Sequence, residues 1–395
     1  YGLRICGKNV LKIRCIYCSK LVLKRTDNKA DSKYPLYILA DMNTELIKID
    51  RQNPDYSLLI KPAAIISKGG LVAFPTETVY GLGGDALNPE SARKIYLAKG
   101  RPSDNPLIVH IADMAALKMV AADIPERAVF LAEEFWPGPM TLIFKKKVSV
   151  PNETSGGLDT VAVRMPDDDI ALNLIRFSGN AIAAPSANSS GRPSPTLAQH
   201  VLEDLGGKVD LIIDGGAAQI GLESTIIDIS TKDTVILRPG AISLAEVKKI
   251  VPQAYMDKAL ANQEVLKPKA PGMKYRHYAP RAAMLIVEGS REGVARKINE
   301  FVKEAIIRKK IPGIMILKEN LEFYTDEVKK RACIITVGSK KEKGSVARNL
   351  FKALRQFDQA GVEIIYSEAF YEEAIGEAVM NRLLKAASYQ VLKVD

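Results

Sequence analysis

Short apolar runs of strand length alternate with helical segments along most of this chain of 395 residues, and one proline-rich break divides them. Before the break, apolar runs at 71–74, 107–111 and 160–164 predict short buried strands. Helix start and stop signals lie between them, such as the Asn-Pro-Glu start at 88–90 and a glycine stop at 100. Many short strands with interspersed helices indicate a mixed α/β domain whose sheet is not purely parallel.

The same apolar runs and helix signals predict the remaining elements of this first region. We expect further strands over 140–144, 181–184, 211–214, 224–229 and 235–237, and helices over 62–67, 125–135, 169–177, 196–205 and 244–250. The glycines at 81, 83 and 84 follow a strand end and allow the backbone to approach a ligand closely.

After the break the rhythm becomes a regular strand-helix repeat. Strands are predicted over 284–287, 313–317, 334–337 and 362–366, and helices over 345–360 and 376–387. This repetition favours a parallel, Rossmann-like three-layer sheet. No GxGxxG follows the first strand, which argues against a dinucleotide site there.

These patterns predict a domain organisation. We assign 42–250 to a first domain, 251–281 to a linker, and 282–395 to a second, smaller domain. We leave 1–41 unassigned and expect non-native or disordered sequence there. The linker concentrates tyrosine, histidine and cations in its last eleven residues, which is unusual for a passive spacer.

The charge balance is less informative than its total of +10 suggests. Residues 1–41 carry nine Lys or Arg against three Asp or Glu, so the rest of the chain carries only +4. This distribution weakens the case for an RNA-binding protein. Cys15 and Cys18 have the spacing of half a zinc site, but too few further ligands lie nearby, so we predict no metal site. The absence of a secretory or membrane-spanning pattern predicts a cytoplasmic protein.

Two clusters distant in sequence carry the chemistry. Lys99 and Arg101 flank a glycine at a helix end, shortly before Asn105, and Ser186 and Asn188 follow an apolar strand. Fixed cations suit phosphates, and short polar groups orient a ligand, so the combination favours a phosphorylated nucleotide. The competing interpretations are a solvated helix end for the cations and an ordinary polar turn for the serine and asparagine.

Further polar residues end or open predicted strands, where α/β proteins bind ligands. Arg164 ends one strand, His110 lies in another, and Glu223 opens a third, although each also has a purely structural interpretation. No Ser-His-Asp or Cys-His nucleophile system and no phosphate-binding P-loop is indicated. Chemistry at this site would therefore depend on positioning and charge neutralisation rather than on a covalent intermediate.

At these residues the chain resembles the threonylcarbamoyl-AMP synthase family, the YrdC-type proteins, in its longer two-domain form. The resemblance extends from about residue 42 to 395 and rests on these motifs in order: PTETVYGLG at 75–83, KxR at 99–101, SxN at 186–188, ESTIID at 223–228, RPG at 238–240 and PGMKYRHYAP at 271–280. It implies a twisted, open, mixed α/β sheet with a concave positive cleft, followed by a smaller Rossmann-like α/β domain.

The resemblance also implies an activity. The family makes L-threonylcarbamoyladenylate and pyrophosphate from L-threonine, bicarbonate and ATP, a nucleotidyl transfer that uses Mg²⁺ with ATP. The product supplies the threonylcarbamoyl group placed on tRNA next to the anticodon. The implied partners are the downstream tRNA threonylcarbamoyl transfer machinery and, weakly, tRNA itself.

The family pattern transfers to this chain residue by residue. Lys99 and Arg101 are expected to be catalytic. The expected L-threonine-binding residues are Thr78, Arg101, His110, Arg164, Ala184 and Ser224. The expected ATP-binding residues are Asn105, Thr160, Ser186, Asn188, Ser194, Arg238 and Tyr275, with Tyr278 as the alternative register for the linker tyrosine.

Two other functions use the same features. An RNA-binding or ribosome-associated protein would use the basic concave face without adenylate chemistry. An acyl-phosphate or carbamoyl-transferring accessory domain would share the nucleotide site. Threonine-dependent release of pyrophosphate separates the three.

Overall fold

The computed structural model describes residues 43–257, 278–371 and 375–395, together with the backbone of three strands nearer the N-terminus. Those strands form an antiparallel sheet in the order β1-β2-β3 within a separate compact unit, residues 1–43. Their bounds are β1 Arg4–Ile5, β2 Val10–Cys15 and β3 Cys18–Lys24. Most of the predicted linker, including Tyr275, lies outside the described residues.

The second compact unit, residues 44–395, contains two sheets. The strands of the first sheet are β4 Glu45–Lys48, β5 Val72–Phe74, β6 Gly81–Asp85, β7 Ile108–His110, β8 Met140–Lys145, β9 Thr160–Arg164, β10 Ile182–Ala183, β11 Leu211–Asp214, β12 Thr225–Asp228, β13 Val235–Arg238 and β14 Tyr255–Met256. Their order is β14-β13-β12-β8-β9-β7-β10-β6-β5-β11-β4. Strand β9 runs parallel to β7 and antiparallel to β8, which confirms the prediction of a mixed sheet.

Eight helices accompany this sheet among the described residues. They are α1 Ile60–Ser67, α2 Pro89–Lys99, α3 Met114–Val120, α4 Glu126–Phe135, α5 Asn152–Ser155, α6 Asp169–Ser178, α7 Ala198–Leu205 and α8 Leu244–Ile250. Helix α2 begins and ends as its sequence predicts: the Asn88 side chain accepts a hydrogen bond from the Glu90 amide, and Gly100 adopts φ 61°. This termination fixes Lys99 and Arg101 at the end of the helix.

The glycine-rich segment at 81–84, where the sequence predicts that the backbone can approach a ligand closely, lies in strand β6. Its residues pack so closely that a Cβ atom on Gly83 would lie 2.8 Å from both Phe74 Cε1 and Ile182 Cγ2. The glycines therefore allow the central strands to approach each other. The sequence does not predict strands β4, β6 and β14, because they are short or lack an alternating apolar pattern.

The second sheet is entirely parallel, as the strand-helix repeat predicts. Its strands are β15 Ala283–Glu288, β16 Pro312–Leu317, β17 Cys333–Gly338, β18 Ile364–Glu368 and β19 Val391–Lys393, and its helices are α9 Arg291–Ile307, α10 Asp326–Arg331, α11 Ser345–Gln359 and α12 Gly376–Ala386. The order β17-β16-β18-β15-β19 differs from the doubly wound dinucleotide-binding order because β18 lies between β16 and β15.

Buried ion pairs join the helices of the second sheet to the first. Arg355 of α11 donates to Asp204 of α7 at 2.9 Å, and Arg382 of α12 donates to Glu223, just before β12, at 3.0 Å. All four side chains are almost inaccessible to solvent. The predicted boundaries at 250 and 282 are not tested by these contacts and stay a prediction. Among the described residues, no helix is both long and apolar enough to cross a lipid bilayer.

Candidate active site

A polar pocket lies where β7, β9 and β13 end, beside the C-terminus of α2. Its lining includes most of the predicted site residues: Thr78, Lys99, Arg101, His110, Arg164, Ala184, Ser186, Asn188, Ser194, Ser224 and Arg238. These residues come from segments that are distant in sequence. The fold therefore brings the two clusters of the sequence analysis into one site.

Arg164, the last residue of β9, organises one wall of the pocket. Its Nη1 donates to Thr78 Oγ1 at 2.8 Å, and its Nη2 lies 2.6 Å from a carboxylate oxygen of Glu77. Thr78 Oγ1 is also 2.9 Å from Thr76 Oγ1. These side chains are buried, and Arg164 Nε also donates to the Gly138 carbonyl oxygen at 3.2 Å, so the guanidinium is held in a fixed orientation beside the pocket.

His110 is a neutral side chain beside this arginine. Its Nδ1 lies 3.2 Å from the Ile108 carbonyl oxygen, and its ring packs edge-on against Phe74. Burial, assisted by the positive charge of Arg164, lowers the pKa of His110 to about 3. A neutral imidazole donates and accepts hydrogen bonds without adding a further charge to the wall.

Lys99 lies fully inside the pocket wall. Its Nζ donates to the carbonyl oxygens of Ser186 and Asn188, which joins the KxR and SxN segments directly. Burial and the neighbouring Arg101 hold the pKa of the Lys99 ammonium well below its usual range. An anionic ligand would favour the charged form of this lysine.

The loop after α2 orients Arg101. Its Nε donates to the Asn105 carbonyl oxygen at 3.1 Å, and its Nη2 donates to the Pro106 carbonyl oxygen at 3.0 Å. The turn formed by Asn105 and Pro106 thus fixes the direction of the guanidinium, which lines the pocket. Asn105 itself is buried, does not line the pocket, and contributes through its backbone.

The SxN segment forms a closely bonded loop. Ser186 Oγ donates to Asn188 Oδ1 at 2.5 Å, and Asn188 Nδ2 donates to the Arg192 carbonyl oxygen at 2.9 Å. Residues Gly81 and Ser186 form a β-bridge, which attaches this loop to the start of β6. The bridge explains why the segment is an ordered wall and not an exposed polar turn.

The opposite wall holds Ser224 and Arg238. Arg238 Nη2 donates to Ser224 Oγ at 3.1 Å, and its Nε donates to the Ser224 carbonyl oxygen at 3.0 Å. Burial lowers the pKa of the Arg238 guanidinium to about 10. This cation therefore stays charged at neutral pH in a site where it has little access to water.

Among the remaining predicted residues, Thr160 lies away from the pocket, and Tyr275 lies outside the described residues. Thr160 begins β9, at the end of the strand remote from Arg164, and does not line the pocket. Ala184 does line it, and its amide donates to the Ile108 carbonyl oxygen at 2.8 Å. Tyr275 falls outside the described residues, whereas Tyr278 lines the pocket. The ligand roles assigned to all these residues stay predictions.

A buried network that the sequence does not predict joins residues of the pocket lining to Arg382. Glu223 accepts from Ser194 Oγ at 2.5 Å and from Arg382 Nε at 3.0 Å, and Arg382 lies over the Tyr278 ring at 5.9 Å from its centroid. Tyr278 also stacks on Phe351 at 5.1 Å between centroids. Glu223 belongs to a motif, but nothing in the sequence pairs it with an arginine 159 residues away.

Two family models match this chain side by side. One, described as "Telomere recombination" and covering Sua5, YciO and YrdC proteins, matches residues 64–240. The other, the threonylcarbamoyl-AMP synthase C-terminal domain, matches residues 242–388. Together the two models cover both sheets except the edge strands β4 and β19.

Full-length relatives decide the family. The threonylcarbamoyl-AMP synthase of Pyrococcus abyssi is 48% identical over 351 residues, which cover 89% of this chain and 100% of the relative. This chain belongs to the threonylcarbamoyl-AMP synthase family. The Bacillus subtilis threonylcarbamoyl-AMP synthase is 43% identical, with 89% of this chain and 98% of the relative covered.

Solved structures of the family share the whole fold. The crystal structure of Pyrococcus abyssi Sua5 complexed with L-threonine matches with a TM-score of 0.83 and 46% identity, over 89% of this chain and 100% of that one. A doubly substituted variant of the same Pyrococcus abyssi protein matches with a TM-score of 0.82 and 46% identity, over 88% of this chain and 98% of that one. The predicted family and α/β fold are both confirmed.

Proposed function

We propose that this protein is a threonylcarbamoyl-AMP synthase that condenses L-threonine, bicarbonate and ATP in the pocket described above. The observation that carries the proposal is the joint presence, in one pocket, of the Arg164–Thr78 pair and of Lys99 and Arg101. The first pair suits an amino acid with a carboxylate and a hydroxyl, and the cations suit phosphates. The Pyrococcus abyssi relative that binds L-threonine supports this interpretation.

The reaction then proceeds in two steps. The threonine amine attacks the carbon of bicarbonate, water leaves, and a carbamate forms. A carbamate oxygen next attacks the α-phosphorus of ATP in line, the bond between the α-phosphorus and the bridging oxygen breaks, and pyrophosphate leaves. This transfer of an adenylyl group makes the protein a nucleotidyltransferase.

The described residues supply orientation and charge. Arg164 holds the threonine carboxylate, Thr78 and neutral His110 orient its polar groups, and Ser224 closes the wall. Lys99, Arg101 and Arg238 stabilise the negative charge that develops on the phosphates. Since these side chains are held by carbonyl groups before the substrates arrive, little reorganisation is needed during the reaction.

Mg²⁺ would enter as the counter-ion of ATP. Glu223 is the carboxylate that lines the pocket among the described residues, and Ser194 and Arg382 already bind it. The described part of the chain also contains no group of three or more His, Cys, Asp or Glu able to hold a metal ion. We therefore assign no protein ligands and no step to the metal.

The product would pass to a cytoplasmic tRNA threonylcarbamoyl transfer machinery. The product, threonylcarbamoyladenylate, contains a mixed anhydride that is prone to hydrolysis. A closed site that excludes water therefore protects the product. Tyr278, a described residue near the end of the linker, lines the pocket and supports a role for the linker as a cover over ATP.

Pyrophosphate release tests the proposal. We expect ATP to be cleaved only when L-threonine, bicarbonate and Mg²⁺ are all present, with threonylcarbamoyladenylate detected by mass spectrometry. L-serine, which lacks the methyl group, serves as the matched control substrate and should react more slowly. Equal pyrophosphate release without threonine would refute the assignment and favour an accessory transferase, and RNA binding without any release would favour the RNA-binding alternative.

A further inference from the structure

The parallel sheet of the C-terminal region carries a second cavity that the synthase reaction does not use. It has a volume of about 810 Å³, within the usual range for small-molecule sites. Its lining is Val287, Glu288, Gly289, Arg291, Val294, Leu317, Asn320, Lys340, Lys343, Val346, Glu368, Ala369, Phe370 and Tyr371. None of these residues lines the first pocket.

The cavity opens where parallel sheets bind ligands. Glu288, Leu317 and Glu368 are the last residues of β15, β16 and β18, so the cavity lies at the carboxyl edge of three adjacent strands. The chain leaves β16 toward β17 on one side and leaves the neighbouring strand β18 toward β19 on the other. Connections that diverge in this way leave a crevice at the sheet edge.

Its floor is polar and incompletely bonded. Glu368, 5% exposed, accepts hydrogen bonds from Asn320 Nδ2 at 2.7 Å, from Tyr324 Oη at 3.1 Å and from the Leu317 amide at 3.2 Å. Asn320 is only 7% exposed, yet its Oδ1 has no hydrogen-bond partner among the described residues. A buried acceptor without a donor is costly, so a donor from a bound molecule would stabilise this floor.

Its rim is positive. Lys340 and Lys343 are exposed, line the cavity and form no ion pair with a described residue, and Arg291 lies at the start of α9. The N-terminus of α11 also faces this edge: a Cβ on Gly338 would lie 2.8 Å from the Val346 amide nitrogen. The N-terminus of α11 thus lies beside a rim with three cations, which favours an anion such as a phosphate. The N-terminus of α9 is covered by Asp395, whose backbone oxygen accepts from Ser290 Oγ.

The floor and the rim together define the ligand chemistry. We propose that this cavity binds a phosphate ester that carries free hydroxyl groups, either a sugar phosphate or a nucleotide. The phosphate lies against Lys340, Lys343 and the N-terminus of α11, and the hydroxyls donate to Asn320 Oδ1 and Glu368. Tyr371, which donates to Glu288 at 2.9 Å on the rim, offers a ring face to the remainder of the ligand.

A cationic ligand fits less well. Burial raises the pKa of the Glu368 carboxyl above its ordinary value, so the floor disfavours the charged carboxylate that would attract a cation. The cations on the rim would also repel an ammonium group. Neutral hydroxyls satisfy both acceptors without this repulsion. The proposal is independent of the activity proposed for the first pocket.

Calorimetric titration of the full chain with ribose 5-phosphate tests the site. We expect saturable binding that weakens at least tenfold in the double variant Lys340→Glu/Lys343→Glu and in Glu368→Gln. The matched control is Lys329→Glu/Lys330→Glu, which makes the same charge change on exposed lysines of α10 outside the cavity and should bind as the parent does. Threonine-dependent pyrophosphate release should be unchanged in the two lysine variants.

Competition identifies the source of the phosphate ester. AMP that displaces ribose 5-phosphate through residues 340 and 343 supports a nucleotide, and AMP that fails to displace it supports a sugar phosphate. Inorganic phosphate that binds as tightly as ribose 5-phosphate would overturn the role of the hydroxyl-accepting floor. Absence of binding, or equal binding by the parent and both cavity variants, would overturn the site.

Discussion

At the scale of single residues, Arg101 is the side chain whose geometry ties it most directly to the reaction. Two carbonyl oxygens of the following turn accept from its guanidinium and fix its direction into the pocket. We expect Arg101→Ala to lower kcat/KM by about 10²–10³-fold, the usual cost of losing a preorganised donor to developing charge. Arg101→Lys should recover only part of this loss, because one ammonium cannot reproduce the fork.

The control for this prediction lies on α2, the helix that precedes Arg101. Arg93 is half-exposed and pairs with Glu90 and Glu153 away from the pocket. Arg93→Ala should leave pyrophosphate release within about twofold of the parent, since surface ion pairs contribute little. If Arg101→Ala were as active as Arg93→Ala, the cation would be only a solvated helix end.

His110 predicts how stability depends on pH. Its pKa is lowered to about 3 in the folded protein, whereas an unfolded histidine titrates near pH 6.5. Between these values the unfolded chain binds a proton that the folded chain does not, so stability falls as the pH falls, by at most about 1.4 kcal/mol per pH unit. We expect His110→Gln to reduce this slope between pH 6 and pH 4, measured by urea unfolding.

His200 provides an internal comparison. Burial lowers its pKa to about 4, so its contribution to the slope should end at a higher pH than that of His110. His200→Gln should therefore flatten the curve above pH 4 and leave the decline below pH 4 in place. An His110→Gln variant with the parent's slope would show that the imidazole is protonated in the folded state.

At the scale of elements, β6 shows why the central strands need glycine. A Cβ on Gly83 would lie 2.8 Å from atoms of Phe74 and Ile182, closer than side chains normally approach. We expect Gly83→Ala to lower the free energy of unfolding by about 1–3 kcal/mol through overpacking. Gly179→Asn is the control: Gly179 ends α6 at φ 74° with open space around it, and asparagine tolerates that conformation.

A second variant separates packing from backbone effects. Gly83→Ala combined with Ile182→Val removes a methyl group from the crowded side and should regain part of the lost stability. If the double variant lost more unfolding free energy than the two single variants together, the crowding described for β6 would not explain the loss.

Elements with strong local signals are predictable from the sequence, and those defined by distant contacts are not. Asn88, Pro89 and Gly100 predict α2 because caps and stops act within a few residues. The strand β6 carries a turn-like composition, and its pairing with β10 joins residues about a hundred positions apart. In the site, residue types and their local spacing identify the KxR and SxN clusters. The contact between the clusters through Lys99 depends on the sheet order, which the sequence does not show.

At the scale of the whole molecule, a helix that packs on the C-terminal sheet supports the wall of the first pocket from outside. Arg382 of α12 is fully buried, donates to Glu223 Oε2 at 3.0 Å, and donates to the Pro239 carbonyl oxygen at 2.5 Å. Both acceptors belong to segments that frame Ser224 and Arg238. The two halves of this unit are thus joined by a charge at the site, and we expect the C-terminal half to be required for activity.

Arg382→Met tests this coupling. Methionine preserves much of the buried volume but leaves the carboxylate of Glu223 without its cation, which should cost about 3–5 kcal/mol of unfolding free energy. Glu223→Gln combined with Arg382→Met removes both charges and should regain much of that stability. Pyrophosphate release should stay low in the double variant, because the segment carrying Ser224 and the ring of Tyr278 lose the guanidinium that positions them. Arg308→Met, at an exposed arginine just after α9, is the control and should match the parent in both measurements. Full activity in the stable double variant would show that the pair only joins the two halves and does not position the site.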